Sequence, residues 1–269
     1  MDFTEQQLQR YARHIVLPEV GGVGQARIMR ARVLVVGAGG LGAPLLMYLA
    51  AAGVGTLGVI DDDVVDLSNL QRQVIHGTSR IGLPKVESAA ATVREVNPEV
   101  TLVPHKERLG PGNVMRLIAD YDIVADGSDN FDTRFLLNDA CHLAGRTLVS
   151  AAILRFEGQL ATFKSHLGHA YPCYRCLYRD PPPPGMVPSC SEGGVFGALA
   201  GAVGSLQAVE VLKEAMGIGD SLAGHLVLYD ALGATFRKIR LPRDASCPLC
   251  GDRPSIRDLS AHEAAAAPA

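Results

Sequence analysis

The stretch VVGAGGLGAPLL, residues 35–46, sets the frame for the rest of the chain. An apolar run, a glycine turn and a second apolar run follow one another directly, the pattern of strand, turn and helix. Gly37, Gly39 and Gly42 fit G-x-G-x-x-G, and Gly40 lies within the same turn. Such glycines permit a tight turn, close approach of a phosphate to the backbone, and close packing of helix on strand. Amide groups at the helix start then offer an anion site. Tight packing without a ligand would use the same glycines. The turn locates a phosphate, but other residues must decide whether hydride or a nucleotidyl group moves there.

Working outward, residues 4–30 read as helical and polar, with Arg10, Arg13, Arg27 and Arg30 spread through them. RVLVVG (32–37) is a buried strand and Ala43–Ala52 a helix. GTLGVIDDD (55–63) is a second strand ending in carboxylates, with Asp61 at 24 positions after Gly37, near the spacing at which an acid meets a ribose hydroxyl. Residues 84–96 form an amphipathic helix with Val86, Ala89, Ala90 and Val93 on one face. VTLVP (100–104), YDIVADGSDN (121–130) and TLVSAA (147–152) supply further strands, with helices between them and from Asp132 to Leu143. This alternation predicts an α/β fold, a Rossmann-like, mainly parallel sheet with helices on both faces. After residue 150 the pattern turns antiparallel. LRFEGQLATF (154–163) reads as a hairpin around Glu157-Gly158, and HLVLYD (225–230) with TFRKIRL (235–241) as another. A Gly/Ala-rich helix is expected from about Gly194 to Met216, PPPPG (181–185) is an extended loop, and AAAAPA (264–269) a frayed end.

The polar residues give the turn its chemistry. DLSNLQRQVIHG (66–77) crowds Ser68, Asn69, Gln71, Arg72 and Gln73 just beyond the second strand. Arg72 would fork onto phosphate oxygens while Asn69 and Gln73 serve as neutral donors, a clamp for a triphosphate. An ordinary surface loop could carry the same residues. Lys85 opens a helix against its macrodipole, a placement that either an anionic ligand or simple solvation accounts for. DGSDN (126–130) places Asp126, Asp129 and Asn130 at the strand edge where open α/β sheets bind ligands. Asp129 suits Mg²⁺ and Asp126 a supporting role, although aspartates also cap turns and helices. Nicotinamide pyrophosphate is satisfied by the turn itself, so the added positive and amide character favours ATP.

Cys173, Cys176, Cys247 and Cys250 form two C-x-x-C pairs, which together make a closed, structural Zn²⁺ site. Zinc binding in small peptides is worth about 10–16 kcal/mol. A redox pair or free thiols are the other readings. Cys190, in VPSCSEGG, is either a nucleophile activated near a helix start or a small half-buried thiol, and Cys141 is a packed helix residue. Net charge is −3 with no long basic run, which gives nucleic-acid binding no electrostatic support. No stretch of about 18 uncharged apolar residues appears and the N-terminus does not read as a signal peptide, so a cytoplasmic protein is expected.

RYARHIVLPEVG, GAGGLG, DLSNLQRQ, GLPKVESA, DGSDN, CYRC and CPLC together resemble the MoeB/ThiF/HesA family, from about Tyr11 to Cys250. The resemblance implies a single domain with a helical arm (1–30), an ATP-binding half (31–152), a zinc-bearing, carrier-binding half (153–255) and a tail (256–269). It implies a homodimeric adenylyltransferase that activates the Gly-Gly carboxylate of a ubiquitin-fold sulfur carrier with ATP and Mg²⁺. Molybdopterin, thiamine and tRNA-thiolation pathways use such activators, with a separate sulfur donor, a cysteine desulfurase or rhodanese. By the same resemblance Asp61 meets the ribose, Ser68, Asn69, Leu70, Gln71 and Arg72 contact ATP, Lys85 contacts phosphate, and Asp129 is linked to the metal. Arg13 comes from the neighbouring subunit, and Cys190 sits where some relatives carry a covalently engaged cysteine. Three rivals remain: an NAD(P)-dependent oxidoreductase, a scaffold that binds a ubiquitin-like partner without chemistry, and a relative that adenylates a carboxyl group on modified tRNA.

Overall fold

Val33, Leu34, Val35 and Val36 of strand β1 (Arg32–Val36) are all buried, which a strand achieves only when both faces of its sheet are covered. Val33 and Val35 pack into one core with helices α2 (Gly21–Arg30), α3 (Gly42–Ala52), α4 (Lys85–Val96) and α8 (Gly197–Met216). Leu34 and Val36 join the opposite core with α5 (Val114–Ala119) and α6 (Phe131–Ala144). A computed structural model describes residues 3–183, 186 and 193–266 of the chain. Helix α1 (Glu5–Ile15), closed by a Thr4–Gln7 capping box, precedes this frame.

The eight strands run in the order β3-β2-β1-β4-β5-β6-β7-β8. Strands β3 (Thr101–His105), β2 (Thr56–Ile60), β1, β4 (Ile123–Asp126) and β5 (Thr147–Leu154) are parallel. Strands β6 (Glu157–Phe163), β7 (His225–Asp230) and β8 (Thr235–Arg240) continue the sheet antiparallel. The order reverses between β1 and β4, and the crevice outside the carboxyl ends of these two strands is where open α/β sheets bind ligands.

The first hairpin turns two residues earlier than its sequence suggested. Leu154 pairs with Glu157, so Arg155 and Phe156 make the turn, with Arg155 at φ +53°. Gly158 lies inside β6 and serves packing, because a Cβ there would come 2.5 Å from Val203 Cγ2 of α8. The small residues of α8 do admit close neighbours: a Cβ on Gly204 would meet the Leu41 carbonyl at 2.5 Å and Pro44 Cγ at 2.6 Å.

The C-terminal segment is more ordered than an expected tail. Leu259 is buried, and helix α9 (Ser260–Ala266) brings His262 Nε2 to 2.8 Å from Asp139 Oδ2. Asp139, fully buried on α6, also takes two hydrogen bonds from Arg175 of the short helix α7 (Tyr174–Leu177), at 2.8 and 2.7 Å. Burial alone would raise this carboxyl, but the His262 and Arg175 hydrogen bonds prevail and hold it below the usual carboxylate range. Among the described residues no helix is long and apolar enough to cross a membrane.

Candidate active site at the β1–β4 crevice

Two glycines close the turn after β1. Gly37 takes φ +90°, and a Cβ on Gly42 would lie 1.8 Å from the Gly37 carbonyl oxygen, so no side chain fits where α3 begins. Gly39 is different: a Cβ there would meet only Gln73 Nε2, at 3.8 Å. The protein itself leaves the space over Gly39 free.

Asp61 leaves the end of β2 and ties this turn down. Its Oδ2 accepts from the Ala38 amide at 2.8 Å and its Oδ1 from the Asp63 amide at 2.9 Å. Burial pushes its carboxyl up, opposed by the Lys85 charge and the two amides. Lys85 is buried at the start of α4 and donates to Asp63 Oδ2 at 2.6 Å. His76 bridges the same region, with Nδ1 2.9 Å from Ser88 Oγ and Nε2 2.9 Å from the Ala38 carbonyl. Burial lowers the His76 pKa, opposed by its hydrogen bond to the Ala38 carbonyl. Turn, second strand and α4 are thus braced before any ligand arrives.

These elements enclose a cavity of about 340 Å³. Of the residues expected from sequence, Gly37, Gly39, Gly40, Asp61, Arg72, Gln73, Lys85, Asp129 and Asn130 line it. Gly42 lies behind the turn. Ser68, Asn69, Leu70 and Gln71 do not form its wall: they build the one-turn 3-10 helix and its exit, where Asp66 is the N-cap, Asn69 Oδ1 accepts from the Asp66 amide and the Ser68 carbonyl accepts from Arg72 Nη1 at 3.0 Å. Arg72 makes no ion pair among the described residues. Gln73 is buried with Oε1 unpartnered, a polar group at the wall that awaits a ligand or water. Asp126 is fully buried and accepts from the Ser128 amide and hydroxyl and from Ser150 Oγ, a bracing role.

Arg13 is exposed on α1 and does not line the cavity of its own chain. Cys190 lies outside the described residues. Sequence reasoning passed over Asp62, Asp63, Glu107, Arg108, Thr133 and Arg134, which also line the cavity. For four of them the signal was position, since Asp62 and Asp63 follow β2 and Glu107 and Arg108 follow β3 at carboxyl ends of parallel strands, whereas Thr133 and Arg134 lie in the first turn of α6.

Carboxylate oxygens of Asp61, Asp62 and Asp63 lie within 4.8 Å of one another, and Asp129 faces the same cavity. Hard oxygen donors beside a phosphate turn fit Mg²⁺, which takes one or two carboxylates and completes its shell with phosphate and water. The four thiols form a separate cluster. Cys173 Sγ is 3.5 Å from Cys247 Sγ and 4.0 Å from Cys176 Sγ, and Cys176 Sγ is 3.4 Å from Cys250 Sγ. A Zn–S length of about 2.3 Å implies tetrahedral edges of about 3.8 Å, so the cluster fits zinc. Cys173 and Cys247 are buried, and Gly251 is required where a Cβ would meet the Cys247 carbonyl at 2.3 Å.

The ThiF family profile matches residues 11–249. The chain is 52% identical over 266 residues to a sulfur carrier protein adenylyltransferase of Thermus thermophilus, covering 98% of each. It is 54% identical over 261 residues to the adenylyltransferase and sulfurtransferase MOCS3 of Bos taurus, covering 97% of this chain but 57% of that protein. It is 50% identical over 262 residues to the SAMP-activating enzyme E1 of Haloferax volcanii, covering 97% of this chain and 96% of that one. The crystal structure of E. coli MccB shares the fold, with a TM-score of 0.79 at 19% identity over 94% of this chain and 74% of that one.

Proposed function

The chain belongs to the ThiF family, and from that premise we propose that it is an adenylyltransferase for a ubiquitin-like sulfur carrier. The observation that carries the reading is the pair of cations at the glycine turn: Arg72, without an acidic partner among the described residues, and buried Lys85 face the cavity over which Gly39 is open. A turn that needed only to hold a pyrophosphate would not require them. The segments that follow β2, β3 and β4, with the first turn of α6, line much of the rest of the cavity.

In the reaction an oxygen of the carrier's C-terminal Gly-Gly carboxylate forms a bond to the α-phosphorus of ATP. The bond from that phosphorus to the bridging oxygen breaks, and pyrophosphate leaves with the electron pair. Two anions approach each other, so stabilisation must come from fixed positive charge. Arg72 and Lys85 carry it on the turn side, and Gln73 offers its amide. Asp61 keeps the turn in place through Ala38 and stands where it can meet the ribose. Asp129 and the Asp61–Asp63 group would hold Mg²⁺, which neutralises phosphate charge when bound.

By the family resemblance Arg13 acts in trans, from a second copy of the chain in a homodimer, and its exposed position away from its own cavity is in keeping with that role. The cysteine quartet holds a structural zinc. Sulfur reaches the acyl-adenylate from a separate donor, as the family resemblance implies, and Cys141 is no candidate for that role, because it is buried among apolar neighbours where burial pushes its thiol up. A reducing cytoplasm keeps the quartet's thiols available for metal.

ATP–pyrophosphate exchange in the presence of Mg²⁺ tests this reading. Exchange is expected only when a Gly-Gly-ending carrier is added, and the preferred carrier identifies the pathway. No exchange with any of a panel of such carriers, or tight NADH binding with carrier-independent turnover, contradicts it.

A further inference from the structure

Arg134 lies in the first turn of α6, where a cation opposes the helix macrodipole. Asn130 caps that helix by accepting from the Thr133 amide at 2.9 Å, so the cap does not need it. Its Nη2 donates to the Ser128 carbonyl at 2.8 Å and its guanidinium lies 5.7 Å from the centre of the Phe131 ring. Its Nε is buried without a partner among the described residues. Arg134 makes no ion pair among the described residues. The nearby carboxylate of Asp126 is occupied by Ser128 and Ser150, and burial pushes the Tyr174 phenol up to about 12, so Tyr174 is no counter-charge. A half-buried guanidinium held by the Ser128 carbonyl and the neutral Tyr174 hydroxyl, with an orphaned donor and no anion among the described residues, is costly unless an anion arrives.

Its location says which anion. Arg134 lines the nucleotide cavity and also a second hollow of about 20 Å³, bordered by Ser150, Gln159 and Tyr174 on the β5–β6 side. Arg72 and Lys85 stand at the glycine turn and the start of α4, where the phosphates belong. The cations are therefore divided across the crevice, and the reaction has two anions to bring together. We propose that Arg134 binds the C-terminal carboxylate of the carrier and holds it from the antiparallel side for attack on the α-phosphorus. This rests on the adenylyltransferase reading. A planar guanidinium matches a carboxylate with two parallel hydrogen bonds, which a lysine ammonium cannot reproduce.

The test compares the carrier that supports exchange with the same protein whose C-terminal carboxylate has been converted to an amide. Binding of each to wild type, Arg134→Gln and Arg134→Lys is measured by calorimetry with a nonhydrolysable ATP analogue present, and ATP affinity is measured alone. A charge-assisted pair predicts that wild type prefers the carboxylate by about tenfold to a hundredfold. Arg134→Gln is expected to lose that preference while its ATP affinity stays within about threefold, and Arg134→Lys to keep part of it. These measurements report on folded protein, since a general loss of structure would remove ATP binding as well. An Arg134→Gln protein that keeps the full preference overturns the assignment alone, as does one whose preference is intact but whose ATP affinity collapses, which would give Arg134 to a phosphate. A wild type that activates no carrier overturns the underlying reading and this assignment with it.

Discussion

Gly39→Ala separates what the nucleotide needs from what the protein needs. A Cβ at this position meets only Gln73 Nε2, at 3.8 Å, and Gly39 is not among the residues with positive φ. The folded chain therefore accepts alanine without strain, and the narrower unfolded ensemble adds about 0.4–1 kcal/mol of stability. For a chain of this size Tm should hold or rise by about 1–4 °C. The nucleotide faces the opposite situation. A phosphate oxygen bonded to a backbone amide sits about 2.9 Å from the nitrogen, and a methyl group in that space forces it back. Losing one hydrogen bond to a charged group costs about 1.5–3 kcal/mol, or roughly tenfold to 150-fold in ATP affinity. Gly42→Ala should behave differently, because its Cβ would lie 1.8 Å from the Gly37 oxygen and must disrupt turn and helix together. Calorimetric titration with ATP, alongside thermal unfolding, reads both quantities. ATP binding by Gly39→Ala within twofold of wild type would refute the placement of the phosphates on this turn.

Three further outcomes are expected. Arg72→Ala should lower adenylation turnover by about 10³–10⁵, by analogy with phosphoryl-transfer arginines, and Asp129→Ala should reduce it and raise the Mg²⁺ requirement; both stay folded by thermal unfolding, and wild-type rates would remove these residues from the site. Purified protein should carry one zinc per chain by metal analysis, and Cys247→Ser should lose it and melt lower by about 10 °C or more. Asp139 has a depressed folded pKa, so its contribution to stability is fully present above the unfolded value of about 3.9 and disappears as pH falls through the folded value. Unfolding midpoints measured from pH 7 to pH 2 should show this acid-side loss, and Asp139→Asn should be destabilised at neutral pH by about 3–5 kcal/mol because Arg175 is left unpaired.

The parallel half was legible because its signals are local. Apolar strands such as Val33–Val36 and capped or Gly-terminated helices declare themselves within a few residues, and the cysteine spacing survives the 74 residues between partners Cys173 and Cys247. What was illegible depended on tertiary contact. Gly158 looked like a turn residue and is instead the point where Val203 crosses β6. The end of the chain looked featureless, yet His262 closes on a carboxylate 123 positions away. In the site, glycines and the loop arginine stood out as motif members, whereas Glu107 and Arg134 belong to no short pattern and are functional candidates only through their places in the fold, after β3 and in the first turn of α6. Placement also refined the loop: Ser68–Gln71 shape the segment from which Arg72 and Gln73 reach the cavity.

An enzyme that transfers the adenylyl group of ATP to a carrier's terminal carboxylate moves the α-phosphate and no other. Incubating protein, Mg²⁺ and a Gly-Gly-ending carrier with ATP labelled at either the α- or the γ-phosphate tests it most directly. The expected result is carrier labelled from the α-phosphate alone, with pyrophosphate released and the label discharged by hydroxylamine. Label passing from the γ-phosphate, or no label on any carrier from zinc-loaded protein, would contradict it.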